Sequence, residues 1–302
     1  MEKNKIFEVI IIGGSYAGLS AAMCLGRSLR KVLIIDSGQP CNEQTPHSHN
    51  FLTQDGKTPK EISLVAKQQV EQYNTVSFLK DVVHKGRKTP SVFEITTLSN
   101  KTFTAKKLIL ATGVKDIMPQ INGFSTCWGI SVIHCPYCHG YEHKAVKTAL
   151  IANGERALHL ASLVHNLTDD LTILTNGRMN FNEPQLKKLK ANNIDVIEKE
   201  ITEIEHKNGH IQNIIFKDGG KENFLAAYAA IPFMQHTSIP VDLKCELTEH
   251  GHIKVDFLQK TTVDGIFACG DNSSPMRSVA YAVSTGNIVG AMVNKELTDE
   301  QF

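Results

Sequence analysis

Two cysteines separated by two residues lie in the string HCPYCHG, residues 134–140. When a C-x-x-C sequence lies on a tight turn or at a helix start, its sulfurs are close enough to form a disulfide and exchange it with a partner. A flanking histidine can stabilise a thiolate when protonated or accept its proton when neutral. The string therefore predicts thiol–disulfide chemistry, with catalytic residues Cys135, Cys138, His139 and His134.

The same string has three other interpretations. C-x-x-C-H is the attachment sequence for c-type haem, which requires export and a haem pocket. Zinc could be held by Cys135, Cys138, His139 and His143, but adjacent ligands give poor geometry and the chain has no second C-x-x-C. Two buried, inert thiols are the third alternative. No metal site is predicted, and the odd total of seven scattered cysteines argues against a disulfide framework.

A glycine-rich turn, GGSYAG at residues 13–18, follows an apolar run at 7–12 and leads into a helical pattern at 17–29. Gly13 permits the tight turn, Gly18 permits close packing of helix on strand, and Ser15 replaces the middle glycine of the usual motif. The helix N-terminus offers N–H groups to a pyrophosphate. A strand at 32–35 ends at Asp36, which can accept a hydrogen bond from a ribose hydroxyl. These features predict a dinucleotide site.

A weaker copy of this unit begins with a strand at 148–151 and continues through a helix at 155–165 to a strand at 171–174. Ala152 replaces the first glycine, and residues 175–178 read TNGR, without the acid that suits NAD or the basic cluster that suits NADP. Two interpretations remain open here: a working nicotinamide site, or a Rossmann scaffold without one.

Composition excludes several classes of function. The net charge is +1, so neither nucleic acid nor an anionic membrane is expected as a partner. No apolar run approaches the roughly 18 residues of a membrane helix, and the N-terminus has no export pattern, so a cytoplasmic location is expected.

The loop containing His47 and His49 has two interpretations. Loop histidines are usually solvated polar residues. The alternative is that this loop lines the cofactor near the dithiol, where the family resemblance described next implies a flavin.

Over nearly its whole length the chain resembles the low-molecular-weight thioredoxin reductase family. The shared landmarks are the turn at 13–18, the Ala-Thr-Gly at 111–113, the C-x-x-C and the Gly-Asp at 270–271 before a C-terminal helix. The resemblance implies a homodimer with FAD. It also implies that Cys138 faces the flavin C4a and that Cys135 meets the substrate. Arg277 would start the helix that faces the isoalloxazine.

The predicted cofactor residues come from these motifs and from the resemblance. They are Gly13, Ser15, Tyr16, Ala17, Gly18, Asp36, Ser37, Asn42, His49, Asn50, Ala111, Thr112, Gly113, Gly270, Asp271, Arg277, Ser278 and Val279.

The predicted fold class is α/β, with two Rossmann-like domains of the FAD/NAD(P)-binding, three-layer ββα type, the second inserted into the first. The FAD-binding domain is discontinuous and comprises residues 1–113 and 244–302. Residues 114–243 form an NAD(P)-binding-like domain that carries the C-x-x-C.

Two departures from typical thioredoxin reductases bear on the electron donor and so on the direction of the reaction. His139 replaces an acid after the C-x-x-C, and the Thr-Asn-Gly at 175–177 replaces a His-Arg-Arg cluster for the NADPH phosphate. Both are similar to the dithiol oxidases that close disulfides in gliotoxin and holomycin. The resemblance implies oxidation of a dithiol substrate, with electrons passing through FAD to oxygen or another acceptor. The alternatives are a thioredoxin reductase fed by NADPH or a reduced carrier, and a flavin-binding redox sensor. The partner would be a small-molecule dithiol or a thioredoxin-like protein.

Overall fold

The computed structural model describes residues 6–302, so the first five residues of the predicted first domain lie outside the described part. The chain divides into two compact units. The first unit contains the residues up to Glu43, Phe51–Lys115 and Met234–Phe302, and the second contains Gln44–Asn50 and Asp116–Phe233. Elements are numbered along the chain.

The first unit is built on a seven-stranded mixed sheet whose inner parallel strands are rich in Val, Ile and Leu, as expected for strands covered on both faces. Its strands are β1 (Ile6–Ile12), β2 (Val32–Asp36), β3 (Val76–Lys80), β4 (Val83–Lys88), β5 (Phe93–Thr97), β6 (Thr102–Leu110) and β17 (Ile266–Ala268). Its helices are α1 (Tyr16–Arg27), α2 (Pro59–Glu71), α7 (Ile239–Asp242) and α8 (Val279–Asp299).

The parallel strands of this unit have the order β3-β2-β1-β6-β17. Strand β6 pairs with β1 along one edge, while its other edge pairs first with antiparallel β5 and then with β17. Buried residues of α1 and α8 share one core with one face of the sheet. Residues of β4, β5 and α7 share a second core with the opposite face.

The second unit repeats this plan with a parallel sheet of order β11-β10-β9-β15-β8 and an antiparallel sheet of order β12-β13-β14. Its strands are β8 (Val132–Ile133), β9 (Thr148–Ile151), β10 (Leu171–Leu174), β11 (Asp195–Ile197), β12 (Ile201–Lys207), β13 (His210–Phe216), β14 (Lys221–Asn223) and β15 (Ala226–Ala229). Its helices are α3 (Phe124–Cys127), α4 (Pro136–His139), a 3₁₀ turn (Tyr141–His143), α5 (Gly154–Val164) and α6 (Glu183–Ala191).

Successive side chains along the parallel strands of the second unit point to opposite faces of the sheet and belong to two different cores. Leu150 and Ile173 pack with helices α5 and α6, whereas Ala149 and Leu174 pack against the antiparallel sheet. The unit therefore has three layers, antiparallel sheet, parallel sheet and helices, which confirms the predicted α/β class with two Rossmann-like units.

The unit boundaries differ from the predicted ones in three places. The chain leaves the first unit after Lys115, not after residue 113. The chain returns to the first unit at Met234, not at residue 244, because Ile239 and Leu243 are buried in the core beside the β4–β5 hairpin. Strands β7 (Val114–Asp116) and β16 (Phe233–Gln235), where the chain leaves the first unit and returns to it, pair with each other. The loop Gln44–Asn50, predicted within the first domain, belongs to the second unit. Within residues 6–302 no helix has the length and apolarity needed to span a membrane.

Candidate functional site

The glycine turn between β1 and α1 has the close approaches that the sequence predicts. Gly13 has φ +104°, and a Cβ there would lie 2.2 Å from the carbonyl oxygen of Ala111. A Cβ on Gly18 would lie 1.9 Å from the carbonyl oxygen of Gly13. Side chains are therefore excluded at both positions, and the backbone of the turn is left accessible to a cofactor.

The N-terminus of α1 is suited to an anion. Its first turn, residues 16–19, is uncharged, and the N-cap Ser15 makes no side-chain capping bond within residues 6–302. Asp36 lies beside it, at the end of β2. Its carboxylate accepts hydrogen bonds from the backbone N–H of Gly14 at 2.5 Å and of Gly38 at 2.7 Å. These bonds fix the carboxylate next to the turn, where it can also accept a bond from a ribose hydroxyl.

A buried asparagine, which the sequence analysis missed, joins two of the predicted cofactor segments. Asn272 donates from Nδ2 to the carbonyl oxygen of Leu110 at 2.8 Å and to Oγ1 of Thr112 at 3.2 Å. It thereby holds the segment 111–113 against the segment 270–271. Its Oδ1 is buried and has no hydrogen-bond partner within the described residues. Its position next to Asp271 was the only signal in the sequence.

The remaining predicted cofactor residues of the first unit are held by local contacts. Arg277 Nε lies 3.5 Å from Asp271 Oδ2, and Ser278 caps α8 by accepting a bond from the N–H of Tyr281. Asn42 donates to the hydroxyl of Tyr16 at 3.3 Å. Ala17 lies on α1, Ser37 follows β2 and Val279 begins α8. An open glycine turn, a fixed carboxylate and an orphaned buried amide oxygen together fit a dinucleotide cofactor.

The dithiol of the second unit lies at a helix start, as predicted. Cys135 is the N-cap of α4, Pro136 is its first residue, and the N–H of Cys138 bonds to the carbonyl oxygen of Cys135 at 3.2 Å. The two Sγ atoms are 2.6 Å apart. The turn therefore brings the two sulfurs within the range needed for a dithiol–disulfide couple.

A cluster of ionisable side chains lies beside the dithiol. The rings of His49 and His139 meet edge to face with centroids 6.2 Å apart, and His49 Nε2 lies 3.6 Å from Glu142 Oε1. His49 and Asn50, predicted to bind the cofactor, lie on the loop that belongs to the second unit. His134 is placed differently, with its ring 6.2 Å from that of Trp128.

Burial favours the neutral form of two histidines near the dithiol, His139 and His143. It lowers the pKa of His139, with smaller contributions from His49 and His143 that are partly offset by the negative charge of Glu142. Burial also lowers the pKa of His143. Both rings are therefore neutral at pH 7, and His139 can accept a proton from a thiol.

Four other cysteines have thiols of low reactivity. Burial raises the pKa of Cys269 to about 12 and that of Cys127 to about 11. It also raises the pKa of Cys24 and of Cys245. These four thiols stay protonated at neutral pH and are poor nucleophiles.

The turn between β9 and α5 is filled by the protein's own side chains. Asn153, the N-cap of α5, accepts bonds from the N–H groups of Gly154 at 2.9 Å and Asn180 at 2.8 Å. Its Nδ2 donates to the carbonyl oxygen of Arg178 at 2.8 Å. Glu155 places a carboxylate in the first helical turn and accepts a bond from Gln185. What distinguishes this helix N-terminus from that of α1 is Glu155, because a carboxylate on the first helical turn opposes the binding of an anionic pyrophosphate.

Two dinucleotide-type folds, one of them carrying a C-x-x-C at a helix start, define the class of disulfide oxidoreductases. The sequence pattern of the family described as pyridine nucleotide-disulphide oxidoreductase matches residues 7–286, and the chain belongs to this family. Its members bind FAD, which confirms the predicted cofactor, and the chain is an FAD-dependent oxidoreductase.

Several known proteins are similar to this chain. Thioredoxin reductase sirT of Leptosphaeria maculans is 32% identical, over 96% of this chain and 94% of its own. An oxidoreductase from Agrobacterium tumefaciens is 36% identical with a TM-score of 0.91, over 98% of this chain and 99% of its own. The crystal structure of HlmI gives a TM-score of 0.91 at 25% identity, over 98% of this chain and 93% of its own. The predicted resemblance to thioredoxin reductases and their dithiol oxidase branch is confirmed.

Proposed function

We propose that this chain oxidises a dithiol substrate to a disulfide through Cys135 and Cys138. The observation that favours oxidation of the substrate over its reduction is the filled turn at Asn153. A reductase driven by NADPH needs a pyrophosphate site in the second unit. Asn153 occupies an N–H group of that turn and Glu155 adds a negative charge. The substrate is then the electron source. A small-molecule dithiol suits this role, and a thioredoxin-like protein is the alternative.

The thiol steps use the close pair of sulfurs in the C-x-x-C turn and give each cysteine the role that the resemblance to thioredoxin reductases implies. A substrate thiolate attacks Sγ of Cys135 in the oxidised pair, so a mixed disulfide forms and Cys138 leaves as a thiolate. The second substrate thiolate attacks the first substrate sulfur, so the substrate disulfide forms and Cys135 leaves. The substrate loses two electrons and two protons, and the Cys135–Cys138 pair gains the electrons. Bound FAD supplies the acceptor for these electrons, which pass on to oxygen or another oxidant.

His139 is the residue we assign to proton transfer. Its ring is neutral at pH 7 because burial lowers its pKa, and it directly follows Cys138 in the chain. It can therefore take a proton from an incoming thiol, and its imidazolium form is stabilised by the charge of Glu142. The first unit, through Gly13–Gly18, Asp36 and Asn272, holds the cofactor. We further propose that the active form is a homodimer in the cytoplasm.

The test compares two electron donors on the FAD-loaded protein without oxygen. Dithiothreitol should bleach the flavin absorbance, and NADPH should leave it unchanged. Cys135→Ser is the matched control, and it should abolish bleaching by dithiothreitol. Rapid bleaching by NADPH, in the range of about 1–1,000 per second typical of enzyme turnover, would overturn the proposal in favour of a reductase. Bleaching by dithiothreitol without steady-state turnover in air would indicate a redox sensor.

A further inference from the structure

A tyrosine hydroxyl lies buried in the second unit without a partner. Tyr228, on strand β15 between β9 and β8, has only 1% of its surface exposed. Its hydroxyl is buried and makes no hydrogen bond within residues 6–302. Leaving such a group unsatisfied is destabilising, and phenylalanine would fill the same space without that penalty. The hydroxyl therefore requires an explanation beyond packing.

Strand register places this tyrosine next to the segment that leads into the dithiol. Tyr228 pairs with Ile133 of the neighbouring strand β8, and Ile133 is followed by His134 and then by Cys135. Tyr228 and Ile133 belong to one apolar core, against which Leu167 also packs. Leu167 in turn lies against Gly140, at the end of the dithiol helix α4.

The charged groups of the dithiol turn also act on this hydroxyl. Burial raises the pKa of Tyr228, and the negative charges of Cys135 and then Glu142 raise it further. The phenol thus stays protonated across the physiological range, so it is a hydrogen-bond donor. Two acceptors in its surroundings carry negative charge, and the thiolate of Cys135 exists only during part of the reaction.

We propose that Tyr228 is a positioning residue whose hydroxyl donates a hydrogen bond to the Cys135 thiolate when that sulfur leaves the mixed disulfide. This inference rests on the proposed dithiol exchange. The bond between Cys135 and the substrate sulfur breaks, Cys135 takes the electron pair, and the phenol keeps its proton while donating to the new charge. A donor that gains its partner only at this step stabilises the leaving thiolate selectively.

The test measures the reactivity of Cys135 without requiring turnover. In the FAD-loaded Cys138→Ser protein, alkylation of Cys135 by iodoacetamide is followed against pH by peptide mass spectrometry. Adding Tyr228→Phe should move the midpoint upward by about one pH unit, a tenfold change in the thiolate equilibrium, because a charge-assisted hydrogen bond is lost. Tyr73→Phe in the same background is the matched control, since Tyr73 lies in the first unit and bonds to Arg27. It should leave the midpoint in place.

A stability measurement separates this role from a structural one. Because Tyr228→Phe removes an unsatisfied group, thermal unfolding of the variant should occur at the wild-type temperature or above. An unchanged alkylation midpoint would overturn the proposal, whatever the stability. A raised midpoint in a protein that NADPH bleaches would uphold the role of Tyr228 while rejecting the direction of the proposed function.

Discussion

The two dinucleotide-type turns of this chain share their topology and differ in their polar groups. The turn at Gly13–Gly18 leads into an uncharged first helical turn and has a fixed carboxylate, Asp36, beside it. The turn before α5 has Asn153 bonded into it and Glu155 on its first helical turn. The fold provides a helix N-terminus in both cases, but the side chains decide whether an anion is admitted. We propose that the chemistry of the second unit lies elsewhere, at the dithiol.

The largest expected effect is on flavin content and comes from a substitution that disrupts the first turn. Gly18→Ala puts a Cβ 1.9 Å from the carbonyl oxygen of Gly13, so strand and helix must separate. Such overpacking costs about 1–3 kcal/mol, and we expect flavin content to fall by about tenfold or more. The flavin content of the purified variant is measured by releasing the flavin with acid and quantifying it by chromatography. Ala152→Gly restores the missing glycine of the second turn and should leave both flavin content and the response to NADPH unchanged. If Gly18→Ala kept its flavin, the cofactor assignment would fail.

The next effect is confined to the second unit. Cys135→Ser and Cys138→Ser should both keep their flavin and lose turnover, because one thiol cannot form the intramolecular disulfide. Only Cys135→Ser should show a broad absorbance beyond the flavin band, because it leaves the Cys138 thiolate as the electron donor to the flavin. Absorbance spectra of the two purified variants decide this. The reverse pattern would exchange the roles of the two cysteines.

The smallest effect tests the ionisable cluster. Glu142→Gln removes a charge that raises the pKa of His139, so this pKa should fall and the acid limb of turnover should move to lower pH. His49→Asn removes a like charge and should move the limb to higher pH. Both shifts should be below about one pH unit, as suits partly exposed groups. The exposed Glu249→Gln is the control. If both substitutions moved the limb in the same direction, His139 would not be the titrating base.

The sequence predicts local features well because they depend on neighbours in the chain. Strand β9 and strand β10 have the predicted bounds, and the dithiol lies at a helix start. Gly13 and Gly18 also follow a local rule, since a strand-to-helix turn limits side chains at fixed spacings.

Features that depend on distant partners could not be predicted. Tyr228 is a strand residue whose neighbour in register, Ile133, lies far away in the chain. The contact of His49 with His139 lies within the second unit but joins two of its segments that are far apart in the chain. Asn153 resembles an ordinary helix cap in the sequence, and only the return of the chain at Arg178 and Asn180 shows that it fills the turn.

The pairing of β6 with β17 has a consequence for synthesis. All segments of the second unit have been made once residue 233 has been added, whereas the first unit still lacks Ile266–Ala268 and the helix α8. Because contacts between distant segments form late, the inserted unit can fold while the unit that surrounds it is still incomplete. Segment 270–279, which contains predicted cofactor residues, is made only after all segments of the second unit. We therefore expect flavin to be captured only after the second unit has been synthesised.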